Sequence, residues 1–286
     1  MLVRSLLGRS SQLATRFTSS HPPPLVVDRL QGKDEGIVVF RLNRPSVKNA
    51  ISKHLLSRLH EEADLLANDA KARVLILKSD VPGAFCSGAD LKERKTIPQS
   101  EVGALVKRIR GFADKLSSLP LPTIAAIDGV ALGGGLEFAL ACDMRVASAS
   151  AKLGLTETRL AIFPGAGGCQ RLPLLIGGAK AKELIFTARI LNGIEAAKIG
   201  MVNEVVEGSG SEVAYEKALD IAREIIPRGP IGVRMAKVVI ETALRADAQT
   251  TNRMEEQAYD RIVLTKDRLE GLAAFSEKRT PIYKGE

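Results

Sequence analysis

Glu137 and Glu157 stand twenty residues apart, each in glycine-rich and otherwise apolar sequence, ALGGGLEFALAC and GLTETRLAIFPGAGG. Two carboxylates with so little polar company can differ widely in proton affinity. A pair of that kind can hold one water and divide acid and base roles over it. Taken singly, Glu137 reads as well as a helix-dipole partner, and Glu157 as one half of a surface ion pair. Two glycine-rich segments, CSGADLKE at 86–93 and DGVALGGGLE at 128–137, each fall where a strand pattern gives way to a helix. Free N–H groups at such junctions carry partial positive charge, and one from each segment could converge on a single oxyanion. Either segment alone would serve as a tight turn. Neither fits the dinucleotide pattern GxGxxG with a downstream acid, and the chain holds no GxxxxGK[ST] phosphate loop.

The surrounding elements must place these groups. GIVVFRLNRP from Gly36 reads as a strand ended by proline, and residues 51–68 put Leu55, Leu56, Leu59, Ala63 and Leu66 at helical spacing. Further strands are expected at 73–79, 123–128 and 145–148, with an apolar helix around 136–142. Such alternation predicts an α/β fold of repeated β-β-α or β-α units. The core is expected over residues 25–207, followed by a helical C-terminal region, 208–286, with helices at 211–226, 229–245, 250–263 and 265–278. The 286 residues, 45% of them hydrophobic, suffice for one large core without disulfides. Cys86, Cys142 and Cys169 form no CxxC pair and no metal-ligand spacing, so neither zinc nor a disulfide framework is signalled. His54 and His60 lie six apart, the wrong spacing for a helical metal pair, and His21 falls near the N-terminus. No apolar run reaches the roughly 18 residues of a membrane span.

The formal charge is +8, but the first acid is Asp28, and Arg4, Arg9 and Arg16 precede it. MLVRSLLGRSSQLATRFTSSHPPP has the composition of a mitochondrial presequence, expected over residues 1–24, which places the mature chain in the matrix. Its removal leaves a formal charge of +5 (8 − 3), suited to a small anionic ligand and no signature of nucleic-acid binding.

CSGADLKE, ALGGGLEFALACD and GLTETRLAIFPGAGGCQRLP, in this order, resemble the signatures of the enoyl-CoA hydratase/isomerase (crotonase) family. The similarity runs from about Gly36 to the C-terminus. VPGAFCSGADLKER and TKDRLEGLAAFSEKRTPIYKGE are similar to a mitochondrial branch that hydrates a branched dicarboxylic enoyl-CoA in leucine breakdown and is also described as binding AU-rich RNA. The resemblance implies the ClpP/crotonase-like fold, an acyl-CoA substrate, no metal or other cofactor, and a homotrimer or homohexamer. It implies that the amides of Ala89 and Gly134 form the thioester oxyanion hole and that Glu137 and Glu157 are the catalytic pair. Glutamate at both positions favours hydration over double-bond migration. A general short-chain enoyl-CoA hydratase is the alternative activity, and a thioester hydrolase of the same fold a further one.

CoA contacts are implied at Lys48, Ala50, Ala89, Asp90, Leu91, Lys92 and Lys278, the last from a position that often reaches a neighbouring subunit. Arg44 offers another cation. Phe85, Phe138, Phe163 and Pro164 are candidates for the acyl pocket. Cys169 stands where relatives usually have threonine. The RNA-contacting lysine stripe of that branch is not reproduced, because Lys53 is followed at one and two turns by Ser57 and Glu61, with Arg58 a partial substitute.

Overall fold

The computed structural model describes residues 22–208 and 212–286, so the expected presequence lies outside the described residues as far as His21. In chain order the strands are β1 (Leu25–Arg29), β2 (Ile37–Leu42), β3 (Val74–Ser79), β4 (Ala84–Cys86), β5 (Thr123–Ile127), β6 (Val130–Leu132), β7 (Met144–Ser148), β8 (Lys152–Gly154), β9 (Leu191–Asn192) and β10 (Glu204–Val206). The helices are α1 (Lys53–Ala67), α2 (Leu91–Thr96), α3 (Gln99–Ser117), α4 (Gly134–Ala141), α5 (Gly168–Ile176), α6 (Gly178–Thr187), α7 (Gly193–Lys198), α8 (Val213–Ile225), α9 (Pro230–Ala243), α10 (Ala248–Val263) and α11 (Lys266–Glu277).

The repeat is a pair of strands followed by a helix. In β3–β4, β5–β6 and β7–β8, the first strand joins a six-stranded sheet of order β1-β2-β3-β5-β7-β10. The second joins a four-stranded sheet of order β4-β6-β8-β9. Strands β2, β3, β5, β7 and β10 are parallel, as are β4, β6 and β8; β1 and β9 are antiparallel edges. Parallel neighbours require long crossovers, and those crossovers carry the helices.

Alternation along the large sheet explains its two covered faces. Phe40, Leu42, Leu75, Leu77, Ala125 and Ile127 join the core that includes Leu55, Leu56 and Leu59 of α1 and Phe112 of α3. Ile37, Val39, Val74, Ile76, Ile124 and Val146 point the other way, against Ala214, Ala218 and Ala222 of α8. Three alanines at four-residue spacing give α8 a flat face that lies close on the sheet, so this helix belongs with the sheet it covers. Full burial of each large aliphatic side chain here contributes about 1.5–3 kcal/mol.

Helix α1 buries the five residues whose spacing predicts it, and the Ser52 hydroxyl caps its start by accepting from the Leu55 amide at 3.1 Å. Helices α9 and α10 pack on one another. Together with α11 they bury few side chains, and Ile240, Tyr259, Leu264, Leu272 and Phe275 are exposed. The short strands β4, β6, β8 and β9 and the long helix α3 were not assigned from sequence. Among the described residues no helix is long and apolar enough to cross a membrane.

Candidate active site

The two glycine-rich segments meet at the C-terminal ends of β4 and β6. Residues 87–90 run beside 48–51: Ser87 N donates to Lys48 O at 3.0 Å, Ile51 N to Gly88 O at 2.8 Å, and Asp90 N to Ile51 O at 3.1 Å. Along that ladder the Ala89 amide faces away from the pairing, and among the described residues it has no acceptor. The Gly134 amide, first in α4, has none either. Ala89 N lies 3.9 Å from the point where a side chain on Gly134 would begin, so both amides serve one spot. Helix α4 can approach this closely because residue 135 is glycine; a Cβ there would stand 2.3 Å from the Cys86 carbonyl oxygen.

Glu137 sits in the first turn of α4, 3% exposed. Its Oε1 accepts from Ala166 N at 2.7 Å and Gly168 N at 2.8 Å. Burial raises its pKa, opposed by those two amides and by the charges of Arg171 and Arg110. Glu157 opens a short 3-10 helix, and its Oε1 lies 3.2 Å from where a Gly133 side chain would start. Its Oε2 is buried with no hydrogen-bond partner among the described residues. Burial, then the charge of Glu137, pushes the Glu157 carboxyl up to about 7. The environment therefore assigns the shared proton to Glu157 and leaves Glu137, steadied by two amides, as the carboxylate.

Ala89, Gly134, Glu137 and Glu157 all line one cleft of about 400 Å³. Its walls are Leu91 and Arg94 of α2, Val106 and Ile109 of α3, and the segment from Leu160 to Phe163. The cleft can polarise a carbonyl with two amides and pass a proton between two acids beside it. Thiolate chemistry is ruled out for the neighbouring Cys86, whose buried thiol is pushed up to about 12. A second cavity, about 460 Å³ under α9, includes Asp143 and Glu241, but Lys237 and Arg245 pair with them.

Other sequence candidates fall in different places. Leu91 lines the cleft, and Asp90 caps α2 while pairing with Arg44 at 3.3 Å, so Arg44 is no free cation for a phosphate. Lys48 is exposed in a left-handed conformation beside Ser87, and Ala50 is buried nearby. Lys92 and Lys278 are exposed and do not line the cleft of their own chain.

Of the aromatic candidates Phe163 lines the cleft, whereas Phe85 and Phe138 are core residues and Pro164 is not in the wall. Phe138 packs edge-on against Phe112 with centroids 4.8 Å apart, because the helical step from Glu137 turns it toward α3. Cys169 is exposed, outside the wall but near enough for the two glutamates to raise its pKa after burial. His60 bonds the Arg108 carbonyl at 3.1 Å. On α1, Arg58 pairs with Glu61 and Glu62, and Lys53 with Glu101, which leaves no cationic stripe there.

Sequence reasoning missed the amides of Ala166 and Gly168 that hold Glu137, although the GAGG run marked a place where backbone could approach closely. It also missed Arg94, one of three cations on a six-residue helix and the one that lines the cleft.

The chain matches the family model described as enoyl-CoA hydratase/isomerase over residues 32–286. It is 54% identical over 280 residues to the mitochondrial methylglutaconyl-CoA hydratase of Mus musculus, covering 98% of this chain and 87% of that protein. It is 49% identical over 261 residues to the human mitochondrial enoyl-CoA hydratase domain-containing protein 2, covering 91% and 89%. Among solved structures, an enoyl-CoA hydratase from Bacillus anthracis superposes with a TM-score of 0.87 at 48% identity, covering 92% of this chain and all of the other.

Proposed function

The chain belongs to the enoyl-CoA hydratase/isomerase family and has the crotonase fold, and on that premise we propose that it hydrates methylglutaconyl-CoA to hydroxymethylglutaryl-CoA. The observation that carries the hydratase reading is the placement of two carboxyl groups with unequal proton affinity beside two unpaired amides in one cleft. The thioester oxygen is received by the Ala89 and Gly134 amides. Glu137 orients a water and takes its proton as the oxygen bonds to C3. The electron pair of the double bond moves through C2 toward the thioester, where the two amides stabilise the developing negative charge. Glu157 delivers its proton to C2, and transfer of the water proton from Glu137 to Glu157 restores the starting state. Hydration changes no net oxidation level, so the scheme calls for no electron carrier.

The branched diacid ester is supported by the naming of relatives as similar as the mouse protein. The test is the kcat/KM of purified residues 22–286 for methylglutaconyl-CoA beside crotonyl-CoA. At least a tenfold preference for the diacid is expected, about 1.4 kcal/mol of discrimination. Preference for crotonyl-CoA would leave a hydratase and remove the substrate assignment, and free thiol release in place of hydration would mark a thioesterase.

The mitochondrial matrix is the proposed location, supported by the named mitochondrial relatives and the arginine-bearing, acid-free N-terminal sequence. A trimer or a dimer of trimers is proposed from the apolar side chains exposed on α9–α11, Leu264 at 87% and Phe275 at 88%. Light scattering is expected to give three or six times the monomer mass; a monomer at micromolar concentration overturns this.

A further inference from the structure

We propose that Arg94 is the specificity-determining residue of the cleft, the group that receives a second carboxylate at the far end of the acyl chain. This rests on the hydratase reading and adds to it the chemical class of the acyl tail.

Among the described residues three ionisable side chains line the cleft: Arg94, Glu137 and Glu157. The Glu137 carboxylate repels a carboxylate on the substrate, so an acyl tail that carries one needs a cation to offset it. Among the described residues Arg94 is the only cation in the wall. It is also uncommitted: among the described residues its side chain makes no ion pair and no hydrogen bond. Other arginines of the region are engaged, Arg44 with Asp90, Arg110 with the Gly165 carbonyl and Arg171 with Asp114. Glu93, its neighbour in sequence, turns away to accept from the Lys53 amide at 2.9 Å.

The guanidinium is carried on a fixed support. Asp90 caps α2 through the Glu93 amide at 3.2 Å, and the Arg94 amide closes the first turn on Asp90 O at 2.8 Å. Arg94 thus stands one turn beyond Asp90, on a helix that begins two residues after the Ala89 amide that faces the thioester oxygen. In a five-carbon diacid ester the distal carboxyl carbon lies four bonds from the thioester carbon, about 5 Å away when extended. Ala89 and Arg94 line the same cleft of about 400 Å³, so a tail of that length stays within it. Leu91, Val106, Ile109 and Ile162 line the same cleft, apolar surface that suits a methyl branch. A planar fork of donors matches a carboxylate better than a lysine would, and the apolar wall strengthens the pairing.

The test compares, in one sample of each protein, the kcat/KM for methylglutaconyl-CoA with that for 3-methylcrotonyl-CoA, which has the same branch and no distal carboxylate. Because the readout is a ratio, loss of folded protein cancels. For the unaltered chain the ratio is expected to favour the diacid. Arg94→Gln is expected to lower the ratio about 10- to 100-fold, mainly through KM, and Arg94→Lys to recover part of it. An unchanged ratio in Arg94→Gln, with the unaltered chain still favouring the diacid, overturns the role of Arg94 and leaves the proposed substrate standing. An unaltered chain with no diacid preference also overturns it, while hydratase activity itself survives. Failure to hydrate either ester sinks the hydratase reading together with this one.

Discussion

Glu157→Gln is expected to lower kcat for hydration by roughly 10²- to 10⁴-fold while KM moves by less than about threefold, because glutamine keeps the shape and hydrogen-bonding face of the side chain and loses only the transferable proton. Stopped-flow or steady-state loss of the enoyl-thioester absorbance measures it. A fall of less than about tenfold would remove Glu157 as proton donor. The pH profile gives an independent check. The Glu157 carboxyl is pushed up to about 7 by burial and by the Glu137 charge. As the acid it must be protonated, so kcat/KM is expected to decline as pH rises through about 7.

The Glu157→Gln substitution should move stability in the opposite sense to activity. The folded state holds the Glu157 proton more tightly than the unfolded chain, whose carboxyl titrates near 4.5. Stability therefore falls as pH rises from about 4.5 to about 7, and the deficit persists above that window. Removing the ionisable group is expected to stabilise the folded state at pH 8 by on the order of 1–3 kcal/mol, with little difference near pH 4. Denaturant titrations at the two pH values test this, and it is the pattern of a residue kept for chemistry at some cost in stability.

Glu137→Gln is expected to be comparably damaging, roughly 10²- to 10⁴-fold in kcat, by removing the carboxylate that accepts the water proton. The two substitutions should not multiply: with both acids acting in one proton transfer, the double variant is expected to be little worse than the poorer single one. A second signature separates this role from a structural one. The Glu137 charge is one of the causes that raise the Glu157 carboxyl. With that charge gone Glu157 should titrate lower, and any residual alkaline limb should move to lower pH. Glu137→Ala adds a different loss, since the buried amides of Ala166 and Gly168 are left without their acceptor. Each orphaned amide costs about 1–3 kcal/mol, so the alanine variant should be markedly less stable than the glutamine one.

What could be read from sequence follows from length and from direction. Strands β2, β3, β5 and β7 of the large sheet run five or six residues of largely apolar sequence, long enough to register as strands, whereas β10 has three. Strands β4, β6 and β8 have three residues each, too few for any periodicity to show, although β4 and β6 lead into the two glycine-rich segments. Glu137 and Glu157 stood out because acids are rare in apolar sequence, and their convergence on one cleft with Ala89 and Gly134 is a property of the repeated unit. Phe85 and Phe138 sat beside the same motifs and misled, because neighbours on a short element face different ways; both are fully buried. Lone cations gave the weakest signal. Lys92 lies two residues before Arg94 in the same DLKER run, yet only Arg94 reaches the cleft, because about half a helical turn puts the two on opposite faces, which composition does not encode.

The cleft draws its parts from two sources. The amide donors and Glu137 follow directly on β4 and β6 of the four-stranded sheet, in the 87–90 segment and the first turn of α4. The far wall comes from α2, α3 and the Leu160–Phe163 segment, which add no strand to either sheet. An enzyme assembled in this way can change its diet while conserving its reactive centre. Substitutions at Leu91, Arg94, Val106 or Phe163 alter which acyl tail is welcomed and leave the geometry of carbonyl activation inherited from the sheets. Directed evolution confined to those few wall positions should therefore yield hydratases for other tails far more often than the same mutational load spread over residues 128–137.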